Sequence, residues 1–399
     1  MSARWIVGLA LCTLFQTSIV GAQRLRPRPG VEILRRGQGL GGVASPDGRR
    51  FAYWGSEGLE VYDVQAQQRT RAATPELGAV ACAGIGWSSD GQKVAFSHAA
   101  GIGEYDTATG NVRVVHASQG PEAGRICHLA YDYQGQVIWR GSDDRHPHLG
   151  REGQAPVQLG DMGFVAFVPA AGARRVLVSD PSLEQRAYAT DTREKLVHSV
   201  DLTQPVLVRR SLGVRPQSLP FLDDAGQRMC YRGASELECL ELATGNVVRL
   251  GNSYFLGPNN ARPFSPSGNR VIFNRDWNLV MHDFQTGAEQ VVTRLPLDGG
   301  SLSFSGASFQ DDHRVLLFEH FMEGNRMRPA IVRVDLSTGN RQTLLQDRQQ
   351  YCYLHTVGDT VFGYRTNPGG GEDFMRIHLP STRAGRRAAR ATRSGRGRR

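Results

Sequence analysis

The sequence predicts an all-β fold, a β-propeller with eight blades of four antiparallel strands. Two turns that recur in register and an apolar run after each first turn indicate this fold. The first turn has eight recognisable copies, anchored at Gly48, Gly91, Gly135, Gly172, Gly226, Gly268, His313 and Gly358. Successive anchors lie 37 to 54 residues apart, mostly 42 to 45. One propeller blade of four short strands uses about 40 to 50 residues, so each copy marks a blade.

The chemistry of the first turn fits this assignment. In Ser45-Pro46-Asp47-Gly48, proline presets φ, aspartate bonds to the local backbone and glycine accepts a positive φ. A strand-length run rich in aromatic and β-branched residues follows, as in residues 50–54 and 271–273. Each unit therefore begins strand, turn, strand.

A second turn supports a true repeat. It reads DTATG at residues 106–110, ELATG at 241–245, DFQTG at 283–287 and DLSTG at 335–339. The first three of these glycines lie 19 residues after their anchors, whereas the fourth lies 26 after His313. The longer distance predicts an insertion between the second and third strands of blade 7. Because the aspartates always precede a turn, we interpret them as backbone caps and not as a ring of carboxylate ligands.

At these residues the chain resembles the TolB-like, WD-repeat-like β-propeller repeat, in which an S-P-D-G turn and a strand precede D-x-x-T-G. The resemblance covers roughly residues 31–380 and is strongest in blades 1, 2 and 6. It implies a propeller related to TolB by architecture.

The ends of the repeat region suggest how the ring closes. The last unit supplies strands at residues 351–355, 360–365 and 374–379, and residues 31–34 form a strand before the first anchor. An open ring would expose sheet edges, so we expect the N-terminal strand to complete blade 8. A seven-bladed ring, with blade 4 or 8 irregular, is the alternative.

Residues 1–22 and 381–399 lie outside the predicted propeller. Residues 1–22 have one Arg, a short apolar run and small residues before Gln23, which predicts a signal peptide cleaved after about Ala22 and a periplasmic or extracellular protein. No other segment is long and apolar enough to span a membrane. Residues 381–399 carry eight Arg and no large apolar side chain, which predicts a disordered tail.

The positive charge of the chain is concentrated in this tail. The formal net charge is +9, yet without Arg4 and the eight tail Arg the chain has 38 basic and 38 acidic side chains. The tail could therefore tether the protein to an anionic surface such as lipid or cell-envelope polymer, with nucleic acid the least favoured partner.

Cysteine spacing suggests one disulfide. Five cysteines follow the signal peptide, and Cys230 and Cys239 fall on strands predicted to be neighbours in blade 5. Cys82 and Cys127 form a second, weaker candidate pair near the starts of inner strands.

The sequence has no recognisable catalytic motif. Residues 86–90 fail the Gly-x-Ser-x-Gly pattern at the last position, and no helical hydrolase segment follows the propeller, which argues against a peptidase. The densest group of potential metal ligands, residues 143–148, contains His146 and His148 but lacks the spacing of a zinc site. We predict a solvated loop there, and no cofactor.

Binding residues are expected on the face that carries the second-to-third strand connections, which we call the loop face. Loops on a rigid scaffold often carry binding residues, and Arg and aromatic residues are enriched at interface hot spots. The candidates from blades 6 to 8 and the connection into blade 6 are Tyr254, Asn259, Arg262, Arg275, Trp277, His320, Arg326, Arg328 and Arg365.

These observations favour a secreted or periplasmic propeller that binds a protein or cell-envelope component without chemistry of its own. One alternative is a propeller enzyme acting on a sugar or lactone over the central channel. Another is a passive scaffold in which the Arg tail is the functional part. Fold alone does not separate these functions.

Overall fold

The computed structural model contains eight β-sheets that form the blades of a propeller. It describes residues 30–35, 40–55, 58–72, 84–117, 126–141, 148–150, 155–159, 164–166, 174–179, 197–204, 206–214, 216, 220–223, 225–253, 263–295, 297–298, 301–302, 304–323, 326–346, 351–357, 359–366 and 372–379. The eight-bladed prediction is confirmed, and the seven-bladed alternative is wrong. No helix in this part of the chain is long and apolar enough to cross a membrane.

Strand β1 (Val31–Arg35) precedes the first four blades, which have four antiparallel strands each. Blade 1 contains β2 (Leu40–Ala44), β3 (Arg50–Gly55), β4 (Gly58–Asp63) and β5 (Gln68–Arg71). Blade 2 contains β6 (Ile85–Trp87), β7 (Lys93–His98), β8 (Gly101–Asp106) and β9 (Val112–Ala117). Blade 3 contains β10 (Ile126–Tyr131), β11 (Val137–Gly141), β12 (His148–Gly150) and β13 (Val157–Gln158). Blade 4 contains β14 (Phe164–Ala166), β15 (Arg175–Ser179), β16 (Val197–Asp201) and β17 (Arg209–Ser211).

The last four blades follow the same order, with two local differences. Blade 5 contains β18 (Phe221–Leu222), β19 (Arg228–Arg232), β20 (Leu237–Glu241) and β21 (Val247–Arg249). Blade 6 contains β22 (Arg270–Arg275), β23 (Asn278–Asp283) and β24 (Glu289–Arg294), and a single bridge from Phe264 to Val271 takes the inner position. A small hairpin follows, β25 (Leu297–Asp298) and β26 (Ser301–Leu302). Blade 7 contains β27 (Phe304–Asp311), β28 (Arg314–Glu323), β29 (Arg326–Asp335) and β30 (Arg341–Gln346). Blade 8 contains β31 (Tyr351–Val357), β32 (Thr360–Thr366) and β33 (Glu372–His378).

The hydrophobic core lies between blades. Eight apolar clusters each join two consecutive blades, and the eighth joins blade 8 to blade 1. Side chains alternate along a strand, so Val271 and Phe273 pack towards blade 5 while Ile272 packs towards blade 7. The second and third strands of a blade are its middle strands. Because both of their faces are buried, their sequences are largely continuous apolar runs.

The tight turns meet on one face, which we call the turn face. Ser45 and Asp47 hold the first turn of blade 1, where the Ser45 hydroxyl donates to Asp47 and the Arg49 N–H donates to the same carboxylate at 3.0 Å. In the second turns, one carboxylate oxygen of Asp106 accepts the N–H groups of Ala108 and Thr109 at 2.8 and 2.9 Å. Three equivalent aspartates cap their turns in the same way: Asp63, Asp283 and Asp335. The cap interpretation is confirmed.

Strand β1 closes the ring. It pairs antiparallel with β33, so the N-terminal strand completes blade 8 as predicted. Arg376 of β33 is 2% exposed, forms an ion pair with Glu32 of β1 and contacts Tyr62 of blade 1. Its guanidinium carbon lies 4.5 Å from the centre of the Tyr62 ring. Arg376 therefore joins the N-terminal strand, blade 8 and blade 1.

The insertion predicted in blade 7 lengthens two strands. β28 and β29 have ten residues each, compared with six in β22 and β23, and they stay paired as far as Glu323 and Arg326. The expectation that His320, Arg326 and Arg328 lie in a connection between strands is therefore wrong, because residues 320–323 and 326–329 continue the ladder.

The structure joins Cys230 and Cys239 by a disulfide across β19 and β20. The two residues are directly opposite each other, with their Cα atoms 4.0 Å apart. Backbone bonds from Gly233 to Glu236 and from Leu242 to Gln227 show that this is a non-hydrogen-bonded pair, in which opposing side chains are closest. The suggested Cys82–Cys127 pair stays a prediction, because Cys82 lies outside the described residues.

Candidate functional site

The candidate site is on the loop face of blades 6 and 7, around the turn between β22 and β23. Asp276 and Trp277 form this two-residue turn with φ values of 51° and 62°. Positive φ at both central residues is typical of a type I′ turn, which strongly favours Asn and Gly. A bulky residue is an outlier there, and Trp277 is nevertheless 40% exposed. The turn therefore presents an indole to solvent at a conformational cost.

Arg275 lies beside this turn and is held from two sides. Its guanidinium forms an ion pair with Glu289 of β24 and lies 5.5 Å from the centre of the Phe273 ring. About a third of each charged side chain is exposed, 30% for Arg275 and 32% for Glu289. The pair fixes the guanidinium in place and leaves part of it open to a partner.

Two further arginines extend the basic character towards blade 7. Arg294 ends β24 directly opposite Asn278 and is exposed, and its guanidinium forms no ion pair within the described part of the chain. Arg341 of β30 donates to the Arg294 carbonyl at 3.0 Å and pairs with Glu319. Burial raises the pKa of the Glu319 carboxyl, and Arg341 opposes this shift.

A neighbouring arginine on blade 5 points to the same region. Arg232 ends β19 and donates to the Ser253 carbonyl and, at 2.9 Å, to the Asn252 side chain. Arg275 approaches the same segment, because one of its terminal nitrogens is 3.8 Å from where a Cβ on Gly251 would stand. Arginines of blades 5 and 6 thus converge on residues 251–253.

The predicted binding residues lie in different parts of the structure. Arg275 and Trp277 lie together at the turn, and Arg328 is half-buried on β29. His320 and Arg326 belong to the long strands of blade 7, but their side chains are outside the description. Tyr254, Asn259 and Arg262 lie outside the described residues.

Arg365 does not belong to an exposed loop. It lies within β32, is 3% exposed and pairs at 3.3 Å with Asp373, which is 1% exposed. The two residues are directly opposite each other on β32 and β33. The expectation that Arg365 lies in a partner-facing loop is therefore wrong, because this residue forms a buried ion pair.

Of the two weak metal candidates, His146 lies outside the described residues and His148 lies in β12. The rings of His148 and His116 lie 5.7 and 4.6 Å from the ring of Trp139. Burial lowers the pKa of His116, and the nearby His148 lowers it further. Within the described ranges, no group of three or more His, Cys, Asp or Glu could hold a metal ion.

Sequence reasoning missed Arg294, Arg341 and Arg232. In an antiparallel blade the fourth strand ends at the loop face, as the second strand does, and the pairing of Arg294 with Asn278 follows from that topology. Arg232 ends a second strand and Arg294 a fourth strand, so strand ends are the sequence signal for these two residues.

Comparison with solved structures defines the class of the fold, an eight-bladed β-propeller similar to WD40 propellers. The WD40 domain of SCAP from fission yeast has a TM-score of 0.56 at 10% identity, over 88% of this chain and 98% of that chain. A eukaryotic initiation factor has a TM-score of 0.51 at 13% identity, over 86% and 89%. An oligogalacturonate lyase in complex with manganese has a TM-score of 0.50 at 12% identity, over 90% and 93%. These similarities show the fold alone, and no protein-family model or curated protein matches the sequence.

Proposed function

We propose that this chain is a macromolecule-binding propeller without chemistry of its own, and that the loop face of blades 6 and 7 contacts its partner. Trp277 carries the proposal. An exposed indole on a turn that disfavours bulky residues has a cost to folding, and such backbone outliers cluster at binding and active sites. A partner that covers the indole would offset this cost.

The surroundings of Trp277 support a binding surface. Trp and Arg dominate interface hot spots, and Arg275, Arg294 and Arg341 surround or adjoin the turn. Glu289 and Glu319 are already paired with Arg275 and Arg341, whereas Arg294 has no described ion-pair partner. The exposed Asp276 of the same turn balances the charge of Arg294, so this surface offers a partner one cation and one anion beside the indole, each without an ion-pair partner among the described residues.

We also propose that the protein works in the periplasm or outside the cell, as a TolB-like relative by architecture. Residues 1–22 have the pattern of a cleaved signal peptide. The Cys230–Cys239 disulfide supports an oxidising compartment, because such bonds are rare in the cytosol.

The Arg-rich segment 381–399 is proposed to act as an electrostatic tether to an anionic surface of the envelope. Its eight Arg account for almost all of the net charge of +9. The test is co-sedimentation with vesicles containing phosphatidylglycerol, with and without residues 381–399. The tether proposal predicts salt-sensitive binding that deletion of the segment abolishes.

The binding proposal is tested by quantitative capture from an envelope extract of the source cells. The Arg275→Ala/Trp277→Ala protein should recover much less partner than the wild type, by at least tenfold if these are hot spots. The matched control is Arg49→Ala, which removes an exposed arginine from the turn face. Equal capture by the wild type and the double variant would show that this surface is not the site.

A further inference from the structure

His282 is a buried imidazole next to the ion pair of the candidate site. It lies in β23, directly opposite Glu289 of β24, and is 5% exposed. Side chains two residues apart share one face of a strand, so His282 faces blade 5 with Val280, and Arg275 faces blade 5 with Phe273. His282, Glu289 and Arg275 therefore lie on the same side of blade 6.

The two carboxylate oxygens of Glu289 face two different side chains. Oε2 accepts a hydrogen bond from Nη2 of Arg275, and Oε1 lies 3.8 Å from Nδ1 of His282. An N–H···O bond spans about 2.7 to 3.2 Å, so His282 and Glu289 are close but not hydrogen-bonded. Nδ1 is buried and has no hydrogen-bond partner among the described residues. A small shift of the carboxylate would let a protonated Nδ1 donate to it.

The other charged groups around His282 already have partners. Asp283, the next residue along β23, pairs with Arg270 at 3.1 Å. Towards blade 5, the Phe284 ring meets the imidazole edge-on at 5.0 Å. Blade 5 contributes charged groups next to that ring which pair among themselves: Arg228, Asp223 and Glu241. Glu289 is therefore the carboxylate that a protonated His282 would meet.

Burial and the neighbouring charges set the protonation of His282. Burial lowers the pKa of His282, Glu289 and Asp283 raise it, and Arg275 lowers it. Because the net direction is downward, the imidazole is neutral near pH 7 and gains its proton in acid. His282, Glu289 and Arg275 together then change from a net charge of zero to a net charge of +1.

We propose that His282 makes the candidate site responsive to pH: protonated His282 shares Glu289 with Arg275, so that Arg275 binds an anionic group more tightly in acid. The role of this response rests on the proposed function, because it acts on the same surface. A carboxylate divided between two cations neutralises each of them less. An anion at Arg275 in turn favours the protonated imidazole, so its binding strengthens as pH falls through the pKa of His282.

The first test measures the coupling without a partner. The full chain, labelled with ¹³C at Cε1 of histidine, is titrated by NMR between about pH 8 and pH 5, the range in which histidine titrates. The His282 resonance is the one missing from His282→Phe, a variant that keeps an aromatic ring. Circular dichroism checks that each variant folds.

The coupling predicts opposite shifts in two variants. Arg275→Ala removes the competitor for Glu289 and should raise the pKa of His282 by about 0.5 unit or more. Glu289→Gln removes the shared carboxylate and should lower it by about as much. The matched control is Trp277→Ala, which alters the same turn without changing a charge and should leave the pKa of His282 unchanged.

The second test asks whether the proton is felt at the surface. The Nε–H resonance of Arg275, identified by its loss in Arg275→Lys, should shift with the same midpoint as His282 and should not do so in His282→Phe. Sulfate is the anion probe, because its charge is constant over this range. Its Kd, read from the same resonance, should fall at least about threefold more between pH 7.5 and 5.5 in the wild type than in His282→Phe.

An imidazole that stays neutral down to pH 5, or a pKa of His282 that Arg275→Ala leaves unchanged, would overturn the proposal. An equal pH dependence of sulfate binding in the wild type and His282→Phe would also overturn it. These outcomes are separate from the binding function, which fails only if Arg275→Ala/Trp277→Ala captures as much partner from extract as the wild type. That failure would remove the role of the response and leave the measured coupling in place.

Discussion

At the residue scale, Gln67 and Trp277 both have a positive φ, and only Trp277 lies at the candidate site. Gln67 has a φ of 55° at the place where equivalent turns have Gly110, Gly245 and Gly287 at 70° to 80°. Trp277 has a φ of 62° in the turn of the candidate site. Both residues carry a steric cost of about 1 kcal/mol that glycine avoids, but only Trp277 is proposed to have a compensating role.

Trp277→Gly should stabilise the fold and abolish binding. Removing the unfavourable φ should raise the free energy of unfolding by up to about 1 kcal/mol, because the 40% exposed indole contributes little burial. The same change removes the proposed contact. Denaturant unfolding and capture from envelope extract measure the two effects. A loss of stability would show that the indole serves packing and would argue against its recognition role.

Gln67 is the comparison residue, because it has a positive φ in a turn on the turn face, away from the candidate site. Gln67→Gly should stabilise the protein by about 0.5 to 1 kcal/mol and leave binding unchanged. Gly110→Ala should destabilise it by about 1 kcal/mol, and the cost would be backbone strain, since a Cβ there would meet nothing within 4 Å. Urea denaturation of both variants tests the pair. Equal stabilities would contradict the positive-φ explanation.

At the element scale, capped turns and paired strands stabilise each blade, and blade 5 also has a disulfide. The Asp caps recur because each second turn has several backbone N–H groups that one carboxylate can accept. The disulfide lies where the pleat brings two side chains closest. The caps repeat with the sequence motif, whereas the disulfide belongs to blade 5 and the long β28–β29 hairpin of blade 7 departs from the motif.

The capping aspartates predict loss of stability in acid. Hydrogen bonds from the N–H groups of Thr109 and Ala108 lower the pKa of Asp106, and the Ser337 hydroxyl is the largest cause of a lowered pKa at Asp335. A lowered folded-state pKa contributes stability above the unfolded value, about 3.9, that is lost as pH falls through the folded value. Asp106→Asn/Asp335→Asn should therefore flatten the decline in unfolding temperature below about pH 4.

The control for the acid scan is Gln67→Gly, which changes a turn of the same kind and leaves every carboxylate in place. Its unfolding temperature should decline in acid as steeply as that of the wild type. A decline in the double variant as steep as that of the wild type would mean that the caps do not titrate in this range.

Removing the disulfide should destabilise blade 5 without changing its topology. Cys230→Ala/Cys239→Ala should lower the free energy of unfolding by about 2 to 3 kcal/mol for a loop of this length. Guanidinium unfolding measures the loss, and a non-reducing tryptic map should show residues 229–232 linked to 233–249. Free thiols at both positions in protein purified without reductant would contradict the assignment.

At the scale of the whole molecule, stability depends on a closed ring of blade interfaces. Phe51 of blade 1 stacks on Phe362 of blade 8 at 4.3 Å between ring centres, so the last interface is packed like the others. Strand β1 and the contacts of Arg376 with Glu32 and Tyr62 fasten the same seam. The two ends of the propeller region thus meet in one blade.

Deleting the N-terminal strand should open this seam. A chain that begins at residue 36 would expose an edge of β33, so its unfolding temperature should fall and it should self-associate. Light scattering after size-exclusion chromatography and calorimetry provide the measurements. Deletion of residues 381–399 serves as the control and should change neither. A truncated chain that remains monomeric and equally stable would refute closure by β1.

The sequence predicted the blade count and the ring closure because turns and buried strands leave local patterns. Phe51 and Val271 stand in apolar runs directly after their anchor glycines, and each run became a middle strand. Arg365 was misassigned because its burial depends on Asp373, directly opposite on the next strand, and such register is not visible locally. The insertion in blade 7 was predicted, but its paired form was not, because added residues can extend a ladder as readily as a loop.

The central claim is that the loop face around Trp277 contacts a macromolecular partner, and site-specific photo-crosslinking in the source cells tests it most directly. Benzoylphenylalanine would replace Trp277 on the loop face and, in a second protein, Arg49 on the turn face. We expect a discrete crosslinked species from position 277 and none from position 49. A species from position 49 alone, or none from position 277, would contradict the claim.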